Sequence, residues 1–298
     1  MQLMMFTKHL APLPLVQAAG AIKDLGFDGA DLTVRPGGYV DPVQVRSALP
    51  EAINILNDHG LSVGLLTTAI TSAGDPTASM IFQAARSAGV REIKLGYWKY
   101  NRFGTFQSAL DQAARDLDGI ERLAGETNVR ANLHLHSENF ITAYAPIVWH
   151  LIKDRDPASI GAYVDPGHMT VEGGGDGWRI GLDLLRDRIS VVAVKDLDWA
   201  RTEDPDPTHG GKPRWYTRMV PLRQGMVAWP SVFACLRATG FDGWFSLHSE
   251  YQGPHSWREL TTEQVIEQTR DDLAYLREAI AQSSAATTDT INRRAPRR

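Results

Sequence analysis

At 298 residues with 43% apolar side chains, the chain is long enough for one large barrel or two smaller domains and can bury a sizeable core. Its formal net charge of -4, with no basic stripe before the extreme C-terminus, argues against a nucleic-acid or acidic-membrane surface and favours a small polar ligand. A single cysteine, Cys235, rules out an intrachain disulfide, and no leader or apolar run of about 18 residues marks a secreted or membrane-spanning segment, so a cytoplasmic location is expected.

Short apolar runs of strand character recur at 3–6, 29–34, 61–66, 92–96, 131–136, 160–165, 189–195 and 244–247. Amphipathic segments separate them. One runs over 14–25 and stops at Gly26, one opens at Asp75-Pro76 and closes at Gly89, and one runs over 106–124 and closes at Gly125. Pro50 predicts a kink or restart of the second helix near Leu49. The connection over 198–227 is far longer than usual; it reads as an irregular surface loop or a lid over the barrel mouth. Trp229-Pro230 and Gly240 bracket another helix. The last helix starts at Thr261, whose spacing to Gln264 suits a capping box. From 282 to 298 the composition predicts a disordered tail. Eight strand–helix units in one domain over 1–281 predict an α/β fold, a (β/α)8 TIM barrel, with an open doubly wound sheet as the alternative.

Side chains alternate faces along a strand, so parity sorts these runs. Leu133 and Leu135, Val192 and Val194, and Phe245 and Leu247 would face covering helices. Asp31, Thr33 and Arg35, then Asn132, His134 and His136, then Tyr163 and Asp165, Lys195, and His248 and Glu250 would converge on the axis near the strand ends. In a barrel that is where an active site forms. His9, His59, His150 and His209 lack such company and are expected at the surface or in loops, and Cys235 reads as a core filler.

The motifs GFDGADLTVRPGGYV (26–40), LTTAIT (66–71), NLHLHSEN (132–139), YVDPGH (163–168), VAVKD (192–196), PLRQGMVAW (221–229) and SLHSEY (246–251) follow in an order that carries a family likeness. Over residues 1–280 the chain resembles the sugar phosphate isomerase/epimerase group of xylose isomerase-like barrels. The resemblance implies a divalent cation on acid and histidine residues of the later strands, beside carboxylates that move a proton next to a sugar carbonyl. Asp165 matches the strand-six ligand and His168 the nearby substrate-facing histidine. His134 and His248 stand where the group has ligand glutamates, with His136 and Glu250 two residues on. Ala193 stands at the usual strand-seven ligand histidine, and Arg223-Gln224-Gly225 replaces a Gly-Glu-Gly loop.

Imidazole and carboxylate donors suit Mn²⁺, Zn²⁺ or Fe²⁺, so His134, Asp165 and His248 are the expected metal ligands. Glu250, Lys195, His168 and His136 are the expected catalytic residues. Lys195 would stabilise an enolate oxygen or, with a lowered pKa, act as a base; a structural pairing to Asp165 or Glu250 is the plain alternative. Arg35 and Asp31 would bind substrate, Arg35 through its planar fork toward hydroxyls or a carboxylate. Trp98, beside Tyr100 and the inward Lys94, and Trp215 on the long connection would stack on a sugar.

These residues predict a sugar isomerase or epimerase that abstracts a proton next to a carbonyl with metal assistance. A lyase that cleaves an oxidised (3-keto) glycoside by β-elimination shares that step, and Ala193 raises the third option of an inactive sugar-binding subunit. The expected partner is a small-molecule sugar, not nucleic acid or membrane; a homo-oligomer is compatible with the sequence. No GxSxG elbow, Walker loop or CxxC pair occurs, and the basic face of an apurinic endonuclease is missing.

Overall fold

In the computed structural model, which describes residues 1–283, the apolar runs pair side by side into a closed parallel ring. Its strands are β1 (Gln2–Phe6), β2 (Gly29–Val34), β3 (Ser62–Thr68), β4 (Glu92–Lys94), β5 (Arg130–His134), β6 (Ile160–Val164) and β7 (Ile189–Val194). After β7 come β8 (Asp196–Asp206) and β9 (Lys212–Val220), and the eighth barrel strand is β10 (Trp244–Leu247). The β10 strand lies between β7 and β1, so the ring has no free edge. The expected barrel is present and the open sheet is not.

Burial on both faces explains the continuous apolar character of strands such as β7, ISVVAV, all of it buried. One face meets the helices through residues such as Leu32, Leu133, Val192 and Phe245. The other packs Met4, Leu65, Tyr163, Val191 and Ala193 together with Trp244 inside the ring. A Cβ at Gly64 would sit 2.7 Å from Trp244, so glycine there makes room for the indole that plugs this end. The ring is closed below and open at the carboxyl ends of its strands.

The helix over Val45–Asp58 passes through Pro50 without a restart. Thr261 and Gln264 form the expected capping box, with reciprocal bonds of 3.0 and 3.3 Å. The helix that follows runs over Thr262–Ser283, two residues past the expected boundary at 281. The rest of the expected tail lies outside the described residues. Among the described residues, no helix is long and apolar enough to cross a membrane.

The long connection is neither irregular nor a loop: β8 and β9 pair antiparallel from Asp196↔Val220 out to Asp206↔Lys212. Its base is tied down by Asp196, whose carboxylate accepts from Leu197 N at 2.9 Å, Val227 N at 3.1 Å and the Trp229 indole at 2.9 Å. Burial nevertheless outweighs these three donors and pushes the Asp196 carboxyl up to about 7.

Candidate active site

A cavity of about 450 Å³, including its open mouth, lies at the carboxyl ends of the strands. Backbone bonds extend the strand geometry into it: Leu135 N donates to Tyr163 O at 3.0 Å and His248 N to Val194 O at 2.9 Å. Alternation therefore carries on past the last residues of β5 and β10. His134, His136, Lys195, His248, Glu250 and Arg35 all line the cavity.

Two parallel relays make up its inner wall. The Tyr97 hydroxyl lies 2.7 Å from His134 Nδ1, and His134 Nε2 lies 3.2 Å from Asp165 Oδ2. Likewise the Tyr163 hydroxyl lies 2.7 Å from His248 Nε2, and His248 Nδ1 lies 3.3 Å from Glu250 Oε1. A carboxylate only accepts, so each imidazole donates to its acid and accepts from its tyrosine. Burial raises both tyrosine hydroxyls well above their ordinary value, which keeps them donors. Lys195 joins the relays. Its Nζ lies 3.3 Å from Asp165 Oδ2 and 3.2 Å from Glu250 Oε1, and the residue is only 2% exposed.

Charge within this cluster is mutually fixed. Burial, the largest single influence, would raise Asp165 and Glu250, but the Lys195 ammonium together with the neighbouring histidines outweighs it and both carboxyls sit below their ordinary values, Glu250 well below. Burial would lower Lys195, and the two carboxylates overcome that as well, so its proton is held more tightly than usual. That is the opposite of what the expected basic lysine requires. Lys195 is therefore a cation at neutral pH, held between Asp165 and Glu250.

The donors at the expected metal site do not fit an ion. Every nitrogen of His134 and His248 is already used, its lone pair by a tyrosine and its N–H by a carboxylate. Lys195 lies between the two carboxylates that would face a cation, and Ala193 is packed in the barrel interior. Among the described residues, no three His, Cys, Asp or Glu side chains are grouped to hold a metal. The expected set of His134, Asp165 and His248 is thus an ammonium-centred network, in contrast to the Mn²⁺, Zn²⁺ or Fe²⁺ site read from the sequence.

His136 differs from the other two imidazoles. Its Nδ1 is 2.9 Å from the Ser137 carbonyl, which can only accept, so Nε2 is the basic nitrogen. Burial, with help from Lys195, lowers it to about 4 and keeps it neutral. His168 lies behind it, its ring tilted by 38° with centroids 3.8 Å apart and Nδ1 2.6 Å from Ser137 Oγ, and does not line the cavity. Burial holds His168 well below its ordinary value too. Glu138, next in the chain after Ser137, takes a left-handed φ of 81°, unusual for a side chain of its kind.

Other expected residues lie elsewhere. Asp31 is fully buried beneath the cavity, where it accepts from Thr67 Oγ1 at 2.6 Å and Ser246 Oγ at 2.9 Å. Trp98 packs among the helices and its indole donates to Asp116 at 2.9 Å. Trp215 is 59% exposed on β9, outside the cavity lining. His9, expected at the surface, is buried, and burial lowers it to about 3.

Tyr97, Lys8, Phe6 and Thr67 line the cavity without having been singled out from the sequence. Tyr97 was hidden by the short β4. A Cβ at Gly96 would run into the Ala69 carbonyl, and this close approach lets the chain break its alternation so that Tyr97, not Trp98, turns inward. The Gly-Tyr-Trp triplet after a strand was the available signal.

Residues 19–279 match the family model described as xylose isomerase-like TIM barrel. The chain belongs to that family. No curated protein matches it, whereas many solved structures do. The 3-keto-D-glucoside 4-epimerase from E. coli is 17% identical, with 93% of this chain and 99% of that one covered and a TM-score of 0.68. An L-ribulose 3-epimerase is 15% identical, with 95% of each chain covered and a TM-score of 0.70. A xylose isomerase-like TIM barrel protein from Mycobacterium smegmatis in complex with magnesium is 17% identical, with 91% of each covered and a TM-score of 0.61.

Proposed function

We propose that the chain is a sugar isomerase or epimerase that moves a proton beside a carbonyl, with Lys195 supplying the positive charge that a divalent ion would otherwise bring. The observation that carries this reading is the Lys195 ammonium held between Asp165 and Glu250 at the cavity wall. Fixed positive charge in a largely buried site stabilises a developing enolate oxygen at little reorganisation cost. The likeness to two sugar epimerases supports the same chemistry.

In this reading the substrate carbonyl oxygen points at Lys195 Nζ. Glu250 takes the proton from the neighbouring carbon, the C–H electron pair becomes a carbon–carbon double bond, and the carbonyl oxygen becomes the enolate. His136 Nε2 offers a second proton-transfer group three strands away round the ring. Return of a proton to the other face of the same carbon gives an epimer. Return to the former carbonyl carbon, with the adjacent hydroxyl proton passing to the former carbonyl oxygen as the new C=O forms, gives an isomer.

The test is solvent-deuterium incorporation into a panel of aldoses, ketoses and 3-keto sugars with EDTA present, alongside elemental analysis of the protein. The expected result is incorporation that survives chelation, with far less than one metal per chain. Loss of exchange on chelation and its return with Mn²⁺ would overturn the lysine assignment. Release of a β-substituent would move the same enolate to a lyase, and no exchange with any sugar would sink the catalytic reading.

A further inference from the structure

The cavity wall has two unlike arcs. The later strands β5, β6, β7 and β10 carry the relays and Lys195, whose charge is already matched by two carboxylates. The earlier strands carry Lys8 just after β1, Arg35 just after β2 and Lys94 at the end of β4. None of these three cations forms an ion pair among the described residues.

Lys94 is the informative one. It is 4% exposed and lines the cavity, yet its Nζ donates no hydrogen bond to any described residue; its contact is the face of Tyr97, 3.6 Å from the ring centroid. A ring face offsets part of an ammonium's desolvation but leaves its N–H donors without acceptors. Asp31 bears on it electrostatically but forms no ion pair with it, and both Asp31 oxygens already accept hydroxyls. Arg35 stands at the mouth with its guanidinium 5.8 Å from the Phe6 ring and its fork unoccupied, and Lys8 is exposed beside it. A buried cation that the protein does not pair is normally paired by something else.

We propose that the substrate of this site carries an anionic group, a carboxylate or a phosphate, which Lys94, Arg35 and Lys8 hold on the arc opposite Lys195. The inference rests on the sugar-site reading above and narrows it to acidic or phosphorylated sugars. Gripping one end by charge would present the carbonyl end to Lys195. Burial, followed by Arg35, Lys195 and Lys8, lowers Lys94 to about 7, with Asp31 acting in the other sense. An arriving anion reverses that balance, so binding should draw in a proton near neutral pH.

Isothermal titration of the wild-type protein at pH 7.5 with D-fructose, D-fructose 6-phosphate, D-fructuronate and inorganic phosphate tests this. At least one anionic ketose should bind about tenfold or more tightly than D-fructose, weaken as salt is added, and show a heat that varies with buffer in the sense of proton uptake. The ketose preferred identifies the group, and binding of inorganic phosphate alone points to the phosphate. Arg35→Gln and Lys8→Gln, both outside the core, should each reduce the anionic preference over D-fructose several-fold. Lys94→Met should abolish the proton uptake; if it does not fold, the wild-type buffer dependence and the Arg35 arm still decide. Equal affinity for D-fructose and both anionic analogues, or an Arg35→Gln protein with undiminished preference, overturns the proposal. Binding needs no turnover, so an anion-selective protein that exchanges no deuterium would sink the isomerase reading alone. Rapid exchange on neutral sugars without anion preference would sink this one alone.

Discussion

Lys195 is the residue on which the site's charges balance, and removing it has a signed consequence. In the wild type, the depressed Asp165 and Glu250 contribute stability that is present above their ordinary values and lost as pH falls through their lowered ones. The raised Lys195 contributes below its ordinary value and is lost as pH rises through its raised one. Neutral pH lies inside both windows. Lys195→Met leaves two buried carboxylates unpaired, a change that typically costs about 3–5 kcal/mol. Burial would then raise both carboxyls, so the loss relative to wild type should be larger at pH 8 than at pH 5. Thermal melts at the two pH values check this, and an equal loss at both would remove the ion-pair account. Glu250→Gln keeps the shape and one acceptor but removes the base, and deuterium exchange on the true substrate should fall by about 10²- to 10⁴-fold. Exchange at the wild-type rate would pass the role to His136. Most of these residues were legible because alternation along a strand is a rigid rule. Asp31 shows its limit: parity gives the face of a side chain, not its depth, and Asp31 faces inward but too low to meet a ligand.

The β8–β9 hairpin is the element that the sequence did not disclose. Its strands mix exposed Trp199, Arg201 and Trp215 with Pro205 and Pro213, so neither face shows the buried periodicity that marks a strand. The barrel strands were legible for the converse reason, since packing on both faces forces unbroken apolar runs between glycine and proline punctuation. The hairpin's base depends on Asp196, which receives three N–H donors in a buried spot. Asp196→Ala strands the Val227, Leu197 and Trp229 donors, and a buried unsatisfied donor costs about 1–3 kcal/mol. Urea unfolding should therefore show a loss of at least about that size. A variant as stable as wild type would mean that water replaces the carboxylate and that the hairpin is anchored elsewhere.

Across the whole molecule, buried titratable groups oppose one another. His9, His134, His136 and His168 are all held below their ordinary value by burial, so acid favours the unfolded chain, whose imidazoles protonate first. Asp31, Asp196 and Asp272 are raised by burial, so between their ordinary and raised values a falling pH favours the fold. The two sets pull in opposite senses, each group contributing up to about 1.4 kcal/mol per pH unit where its folded and unfolded protonation differ, so they partly cancel. Stability should change modestly from pH 7 to pH 5 and fall away at lower pH, as the unfolded chain's carboxyls take up protons ahead of the depressed Asp165 and Glu250. Urea titrations at pH 7, 6 and 5 check the balance, and a steep loss by pH 5 would show that the imidazoles go unopposed. The closed ring has its own consequence, for how the molecule comes into being. Gln2 through Met5 pair with Trp244 through Leu247, so the strand made first on the ribosome waits for the strand made last among the eight. Until residue 247 emerges, one flank of β1 has no neighbour, and Glu250 has yet to meet Lys195. The barrel can gather most of its strands during synthesis, but its reactive end is assembled only once the last of the eight has been made.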